Sequence, residues 1–215
     1  KETDTVILSF GAIENHAGHL PLGADYFQAT VLIRRVYEEM LKMGHKAVPG
    51  FAVPFGVQTN KFERDKLFGN CYLNEKTFIE MAEDLILALH EMGFRRKSVV
   101  PDWVPAHNDF WPTVLKNPEH QGHGGEDETA CVMAAVPSLV NVEGVEPYYA
   151  DEDTNPVKFS GLFYYGGAVG VFHPTKEDKS PGYIGNPADA TAEEGELCYE
   201  AYAKWNAQIA DKFLF

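Results

Sequence analysis

Residues 11–25 read G-A-I-E-N-H-A-G-H-L-P-L-G-A-D and hold three side chains able to bind a metal: Glu14, His16 and Asp25. Glu14 and His16 stand two apart, so in an extended segment they project to the same face. The glycines and Pro21 keep the stretch out of a helix. Mixed carboxylate and imidazole donors suit zinc, manganese or iron. Each residue alone has an ordinary alternative: Asp25 as a helix N-cap, His16 and His19 as buried imidazoles bonded to backbone. Together, directly after a strand, the three favour a site, because open α/β sheets bind ligands beyond the carboxyl ends of their strands. A second cluster, G-H-G-G-E-D-E-T over residues 122–129, offers His123, Glu126, Asp127 and Glu128 at the start of a helix. Its spacing fits equally a site or an acidic first turn that complements the helix dipole.

These residues need a scaffold, and the flanking pattern describes one. Thr5–Phe10 is a short β-prone run followed by glycine, which reads as a buried strand. After Asp25, the spacing of Ala29, Leu32, Val36, Met40 and Met43 predicts a helix stopped by Gly44. Lys46–Val53 is a second strand candidate. Asn74 is a candidate N-cap for a helix with the face Phe78, Ala82, Leu85 and Leu89, ending at Gly93. Strand, helix, strand, helix in this order predicts an α/β fold with a parallel sheet. Pro101–Pro118, with four prolines, reads as a long loop. Glu128–Val136 reads as a short helix and Leu139–Val142 as a strand. Tyr148–Pro181 shows no clear period. The face Cys198, Tyr202, Trp205, Ile209 and Phe213 predicts a C-terminal helix.

Composition sets the outer limits. The 215 residues carry 18 basic and 32 acidic side chains, a net charge of −14. That length predicts a single domain over residues 1–215. The acidity opposes binding to nucleic acid or to an anionic membrane. The longest apolar run, Ala130–Val136, has seven residues, against the roughly 20 of a membrane span. Cys71, Cys131 and Cys198 are isolated, which argues against a disulfide scaffold and for a reducing compartment, the cytoplasm. The chain opens on Lys1 rather than methionine, which reads as a processed or partial N-terminus.

The stretch E-N-H-A-G-H-L-P-L-G-A-D closely resembles the signature of the creatininase (creatinine amidohydrolase) family, E-Q-H-G-x-H-L-P-L-G-T-D. A second family block, H-A-G-x-x-E-T-S before a helix and P-x-L-V, resembles His123–Ala130 and Pro137–Val140. A third, G-x-x-G-x-P-x-x-A-T-x-E-x-G, resembles Gly182–Gly195. The resemblance runs in order over nearly the whole chain. It implies a three-layer α/β/α fold around a mostly parallel sheet, two divalent metals, hydrolysis of amide-type bonds in small or cyclic substrates, and a homo-oligomer, often a hexamer. By position it implies that Glu14 holds one metal, His16 the other, and that Asp25 bridges them. Glu128 becomes a further acidic ligand or a group that supports the ligands, and is taken with His123, a histidine near the reacting carbonyl, as catalytic. Two such metals, roughly 3.5–4 Å apart, share a hydroxide that attacks at neutral pH. His123 could then protonate the leaving nitrogen. Trp103 and Trp111, in the central loop, could wall a small ring, with loop packing as the alternative. They are taken with His19 as candidates for substrate contact.

One family block has no counterpart. After the second helix a family strand ends in N-G-H-G-G-N, whose histidine binds a metal, and true creatininases carry an acidic residue two positions later. Here Gly93–Lys97 runs directly into Ser98-Val99-Val100-Pro101-Asp102-Trp103. The expectation is that a strand-plus-helix unit of about 30 residues is absent near Lys97–Ser98, and that the backbone breaks there. With a continuous backbone, His107 or His123 has to replace the lost ligand, or the protein is degenerate. Asn15 in place of glutamine and Ala24 in place of threonine hint at a subgroup apart from true creatininases. Two alternatives follow: a family hydrolase that opens a dehydrogenated inositol ring, and a catalytically dead member that binds a ligand or scaffolds an oligomer.

Overall fold

The computed structural model describes residues 2–57, 69–101, 107–118, 122–149 and 181–215, with the side chains of 107–109 outside the description. Trp103 and most of the Tyr148–Pro181 stretch lie outside the described residues. The chain follows an α/β order: β1 (Thr5–Phe10), α1 (Ala24–Lys42), β2 (Val48–Val53), β3 (Gly56–Val57), β4 (Tyr72–Leu73), α2 (Glu75–Glu91), β5 (Arg96–Val99), α3 (His107–Val114), α4 (Glu126–Ala135) and α5 (Ala192–Leu214). β1 is the middle strand of a parallel sheet ordered β2-β1-β5. β3 and β4 form a separate parallel pair.

The side-chain alternation of β1 separates two layers of helix. Ile7 points into the main core, built with Leu32, Val36 and Met40 of α1 and Tyr199, Tyr202 and Ala203 of α5. Val6 and Leu8 point the other way, onto Leu89 of α2 and Phe94. Helices thus cover both faces, as the α/β/α expectation requires. α4 packs against α5 and α1 and is buried on most sides, including Glu126, Asp127, Thr129, Ala130, Cys131 and Val132.

Several expectations change in contact with the fold. Pro101–Pro118 is not all loop, since α3 crosses it and carries Pro112 inside the helix. Leu139–Val142 makes no strand; Pro137–Leu139 instead forms one 3₁₀ turn. Lys97 and Ser98 are successive residues of β5, in register with Val6 and Ile7 of β1.

Helix ends follow local rules. Asn74 caps α2 by accepting the Thr77 N–H. Thr191 and Glu194 form a reciprocal box at the start of α5: Thr191 Oγ1 accepts the Glu194 N–H at 3.2 Å, and Glu194 Oε2 accepts the Thr191 N–H at 2.8 Å. Thr191→Ala is expected to cost about 1 kcal/mol, read as a lower midpoint in urea unfolding. An unchanged midpoint would show that the box contributes nothing.

Candidate metal centre

The site forms where β1 ends. Gly11 touches the first turn of α1 so closely that a Cβ there would lie 2.5 Å from Tyr26 Cα and N. A bare backbone at this point brings Asp25, the second residue of α1, beside the loop that carries Glu14 and His16. The loop is pinned by the Glu14 N–H donating to Leu22 O at 2.9 Å and by the Asn15 N–H donating to Asn70 Oδ1 at 2.6 Å. Asn15 Oδ1 accepts the Ala17 N–H at 2.7 Å, which holds Ala17 at φ +59°.

Three carboxylates converge on one imidazole nitrogen. His16 Nε2 lies 3.1 Å from Glu128 Oε1, 3.4 Å from Asp25 Oδ1 and 3.8 Å from Glu14 Oε1, with His16 fully buried. Its other nitrogen, Nδ1, is 3.2 Å from the Glu14 carbonyl. A carbonyl only accepts, so Nδ1 carries the proton in the neutral ring and Nε2 presents its lone pair to the carboxylates. Asp25 Oδ1 is buried and makes no hydrogen bond. The arrangement is electrostatically unfinished. Even with His16 protonated, three carboxylates leave two negative charges, and a divalent cation among these donors would balance them.

The proton affinities express this. Burial pulls the His16 imidazole down, but Glu128 and Asp25 outweigh it and hold its pKa well above the ordinary histidine value. Burial and the Glu14 charge push the Asp25 carboxyl well up, against the pull of His16. Burial also acts upward on Glu128. There His16, His123 and the Gly124 N–H prevail and hold the carboxyl far below its usual range.

Glu128 arrives on the first turn of α4. Its Oε2 accepts the Gly124 N–H at 2.6 Å, and Gln28 Nε2, one turn after Asp25 on α1, donates to Oε1 at 3.4 Å. Gln28 was not singled out in the sequence, although its position three residues after Asp25 puts it on the same helical face. His123 lies beside His16 with ring centroids 4.2 Å apart and nearly parallel. Its Nε2 donates to Asn15 O at 2.6 Å, and its Nδ1 is 3.6 Å from Glu14 Oε1. Two donor sets therefore cluster within 4.8 Å: His16, Asp25 and Glu128, and Glu14, His16 and His123.

Other candidates fall elsewhere. Glu126 is fully buried and accepts the backbone N–H groups of Lys116 and Asn117 at 2.7 and 3.0 Å, so it clamps the turn after α3. His19 is buried. Its Nε2 donates to Gly124 O at 2.9 Å, fastening the loop that holds His123, while its Nδ1 makes no hydrogen bond. Trp111 is 2% exposed in the main core and its indole N–H donates to Tyr202 Oη at 3.2 Å. This is the packing alternative. A small cleft lined by Ala12, Ile13, Glu14, Gly56, Asn70 and Tyr72 opens beside the donors.

The sequence matches a family model described as creatinine amidohydrolase over residues 1–102 and 99–210. The two matched stretches overlap over residues 99–102, at the end of β5. A search of curated protein sequences finds no match. Among solved structures, one from Bacteroides fragilis NCTC 9343, assigned as a creatinine amidohydrolase, has a TM-score of 0.68 at 24% identity, covering 100% of this chain and 93% of that one. A creatininase variant of Zn–Zn type has a TM-score of 0.60 at 20% identity, covering 99% and 91%. A manganese creatininase has a TM-score of 0.65 at 18% identity, covering 99% and 91%.

Proposed function

The chain belongs to the creatininase family of metal-dependent amidohydrolases, and on that premise we propose that it hydrolyses a small cyclic amide with two divalent cations held by Glu14, His16, Asp25 and Glu128. The observation that carries the reading is the convergence of three carboxylates on the lone-pair nitrogen of His16, with a buried Asp25 oxygen that no hydrogen bond satisfies. Zinc and manganese are the first choices, since related structures hold them, and iron suits the same donors. Bound there, the cations supply a water nucleophile active at neutral pH and polarise the amide carbonyl.

The chain's own residues do the rest. Asp25 lies where a carboxylate can serve both cations. The Gly124 N–H and Gln28 fix the Glu128 carboxylate in place. His19 holds the Gly124 peptide from the other side. The cleft beside Glu14 receives a small substrate. Assembly into a homo-oligomer, with a hexamer as the expected form, belongs to the same reading. Ile79, Ile86, Leu87 and Met92 stand exposed on and just after α2, as a subunit contact would require. No helix among the described residues is long and apolar enough to cross a membrane.

The test is a hydrolysis screen of five- and six-membered cyclic amides with zinc or manganese added. Activity is expected to vanish on chelation and return with metal. A dehydrogenated inositol in the same screen separates the carbon–carbon-cleaving alternative. A protein that neither binds metal nor turns over any of these compounds is the catalytically dead member.

A further inference from the structure

We propose that His123 is a metal ligand through Nδ1 and pairs with Glu14 to hold the second of the two cations. The assignment rests on the dinuclear reading above and adds a donor to it.

The case begins with a shortage of nitrogen. Both donor clusters draw on His16. Its Nδ1 faces the Glu14 carbonyl as donor, so only Nε2 has a lone pair to give, and that nitrogen sits nearest Glu128 and Asp25. One lone pair serves one cation. The cation on the other side, toward Glu14, needs another nitrogen or must be held by oxygen alone. Among the described imidazole side chains, His19 is turned to Gly124, His45 to Asp211 and His90 to Arg95. His123 alone joins a donor cluster with Glu14.

Its orientation fits the role. Nε2 donates to the Asn15 carbonyl at 2.6 Å, which turns Nδ1 toward Glu14, the nitrogen through which the ring would hold a cation. Nδ1 faces Glu14 Oε1 at 3.6 Å. That separation leaves room between nitrogen and carboxylate for a small cation, and the two atoms belong to one donor cluster. His16 presents the same pattern: Nδ1–H on a backbone carbonyl, the other nitrogen facing carboxylates. The two carbonyls belong to adjacent residues, Glu14 and Asn15, so one loop orients both rings. The nearly parallel stack of the rings follows from it. The same bond turns the Nε2 proton of His123 onto Asn15, away from the cleft, which disfavours the leaving-group role assigned from sequence. β5 runs on into Val100 and Pro101 without a histidine, and the family match divides at this point.

The experiment compares zinc binding by the full-length protein and by His123→Gln, using elemental analysis and calorimetric titration with zinc ions alone. Glutamine keeps an N–H where Nε2 stood, so the bond to Asn15 can persist, and it removes the Nδ1 lone pair. The wild type is expected to bind two zinc ions. The variant should keep one and bind the other more than ~100-fold more weakly, since even outer-shell partners cost about 10–100-fold. The cobalt-substituted wild type gives a check that needs no variant. Two exchangeable, strongly shifted imidazole N–H resonances are expected in its proton NMR spectrum, one from each ring. Two zinc ions bound undiminished by the variant, or a single shifted N–H, would overturn the His123 assignment and leave the hydrolase reading intact. Fewer than two zinc ions in the wild type would take down the dinuclear reading and this assignment together. If the variant does not fold, the cobalt spectrum decides.

Discussion

Glu128→Gln is expected to give a folded protein that holds at most one metal and has lost hydrolytic activity by at least about a thousandfold. The figure follows from the role: metal polarisation supplies several kcal/mol, and each ~1.4 kcal/mol is tenfold in rate. Glu128 is the nearest carboxylate to His16 Nε2, at 3.1 Å, and its other oxygen is held by the Gly124 N–H at 2.6 Å. A glutamine carbonyl can still accept that N–H. Its amide N–H₂ then meets the His16 lone pair and satisfies it with a hydrogen bond where the wild type has a place for a cation. The substitution also removes one of the three converging negative charges. The carboxyl's folded-state pKa is depressed, so in the metal-free wild type it contributes stability that is present above its unfolded value of about 4.3 and lost as pH falls. The variant forfeits that contribution at neutral pH, and its metal-free melting temperature should fall modestly. The decisive comparison is melting with and without zinc. Each occupied site adds about 2.7 kcal/mol at a hundredfold excess over its Kd, and the variant loses the gain of the site that Glu128 serves. A variant that retained zinc at wild-type stoichiometry would remove Glu128 from the ligand set.

Much of the site was legible because its residues are close together in sequence. Glu14, His16 and Asp25 lie within a dozen residues, and the strand before them and the helix after them carry clear periodic signals. α2 was equally plain, since Asn74 acts as a local cap. Glu128 and His123 were not decided by spacing, because their partners lie more than 100 residues away: His16 for Glu128 and Asn15 for His123. An acidic first turn looks the same whether it meets a metal site or only the dipole. Glu126 shows the limit well. It stands two residues from Glu128, yet its carboxylate clamps the turn at Lys116 and Asn117. Trp111 sat in a proline-rich stretch that reads as loop, and only the packing of α3 against Tyr202 placed it in the core. α4 shows little periodicity because it is buried on most sides. β3 and β4, of two residues each, are too short to leave a pattern of any kind.

The second large effect concerns Gly195, the last glycine of the third family-like block. It lies in the first turns of α5, where a Cβ would come within 2.0 Å of Ala130 O, 2.5 Å of Ala130 C and 2.9 Å of Cys131 N. All three are backbone atoms of α4, so no side chain can rotate away and one helix must move. On helix propensity alone, Gly195→Ala would stabilise by about 1 kcal/mol. Overpacking costs typically 1–3 kcal/mol and sometimes more, and contact with rigid backbone places this case at the upper end. The net expectation is a loss of about 2 kcal/mol, and at roughly 2–4 °C per kcal/mol for a chain of this size the melting temperature should drop by about 4–8 °C. Gly18→Ala is the control, because its Cβ would meet nothing within 4 Å, and surface changes of that kind usually stay within about 0.5 kcal/mol. The effect should reach the metal centre as well. Ala130 lies two residues after Glu128 on α4, so pushing α4 off α5 displaces the carboxylate from His16 and weakens zinc binding at the same time as it lowers stability. Gly195→Ala melting at or above the wild-type temperature would mean that α4 and α5 do not approach this closely, and the placement of Glu128 would have to be redrawn.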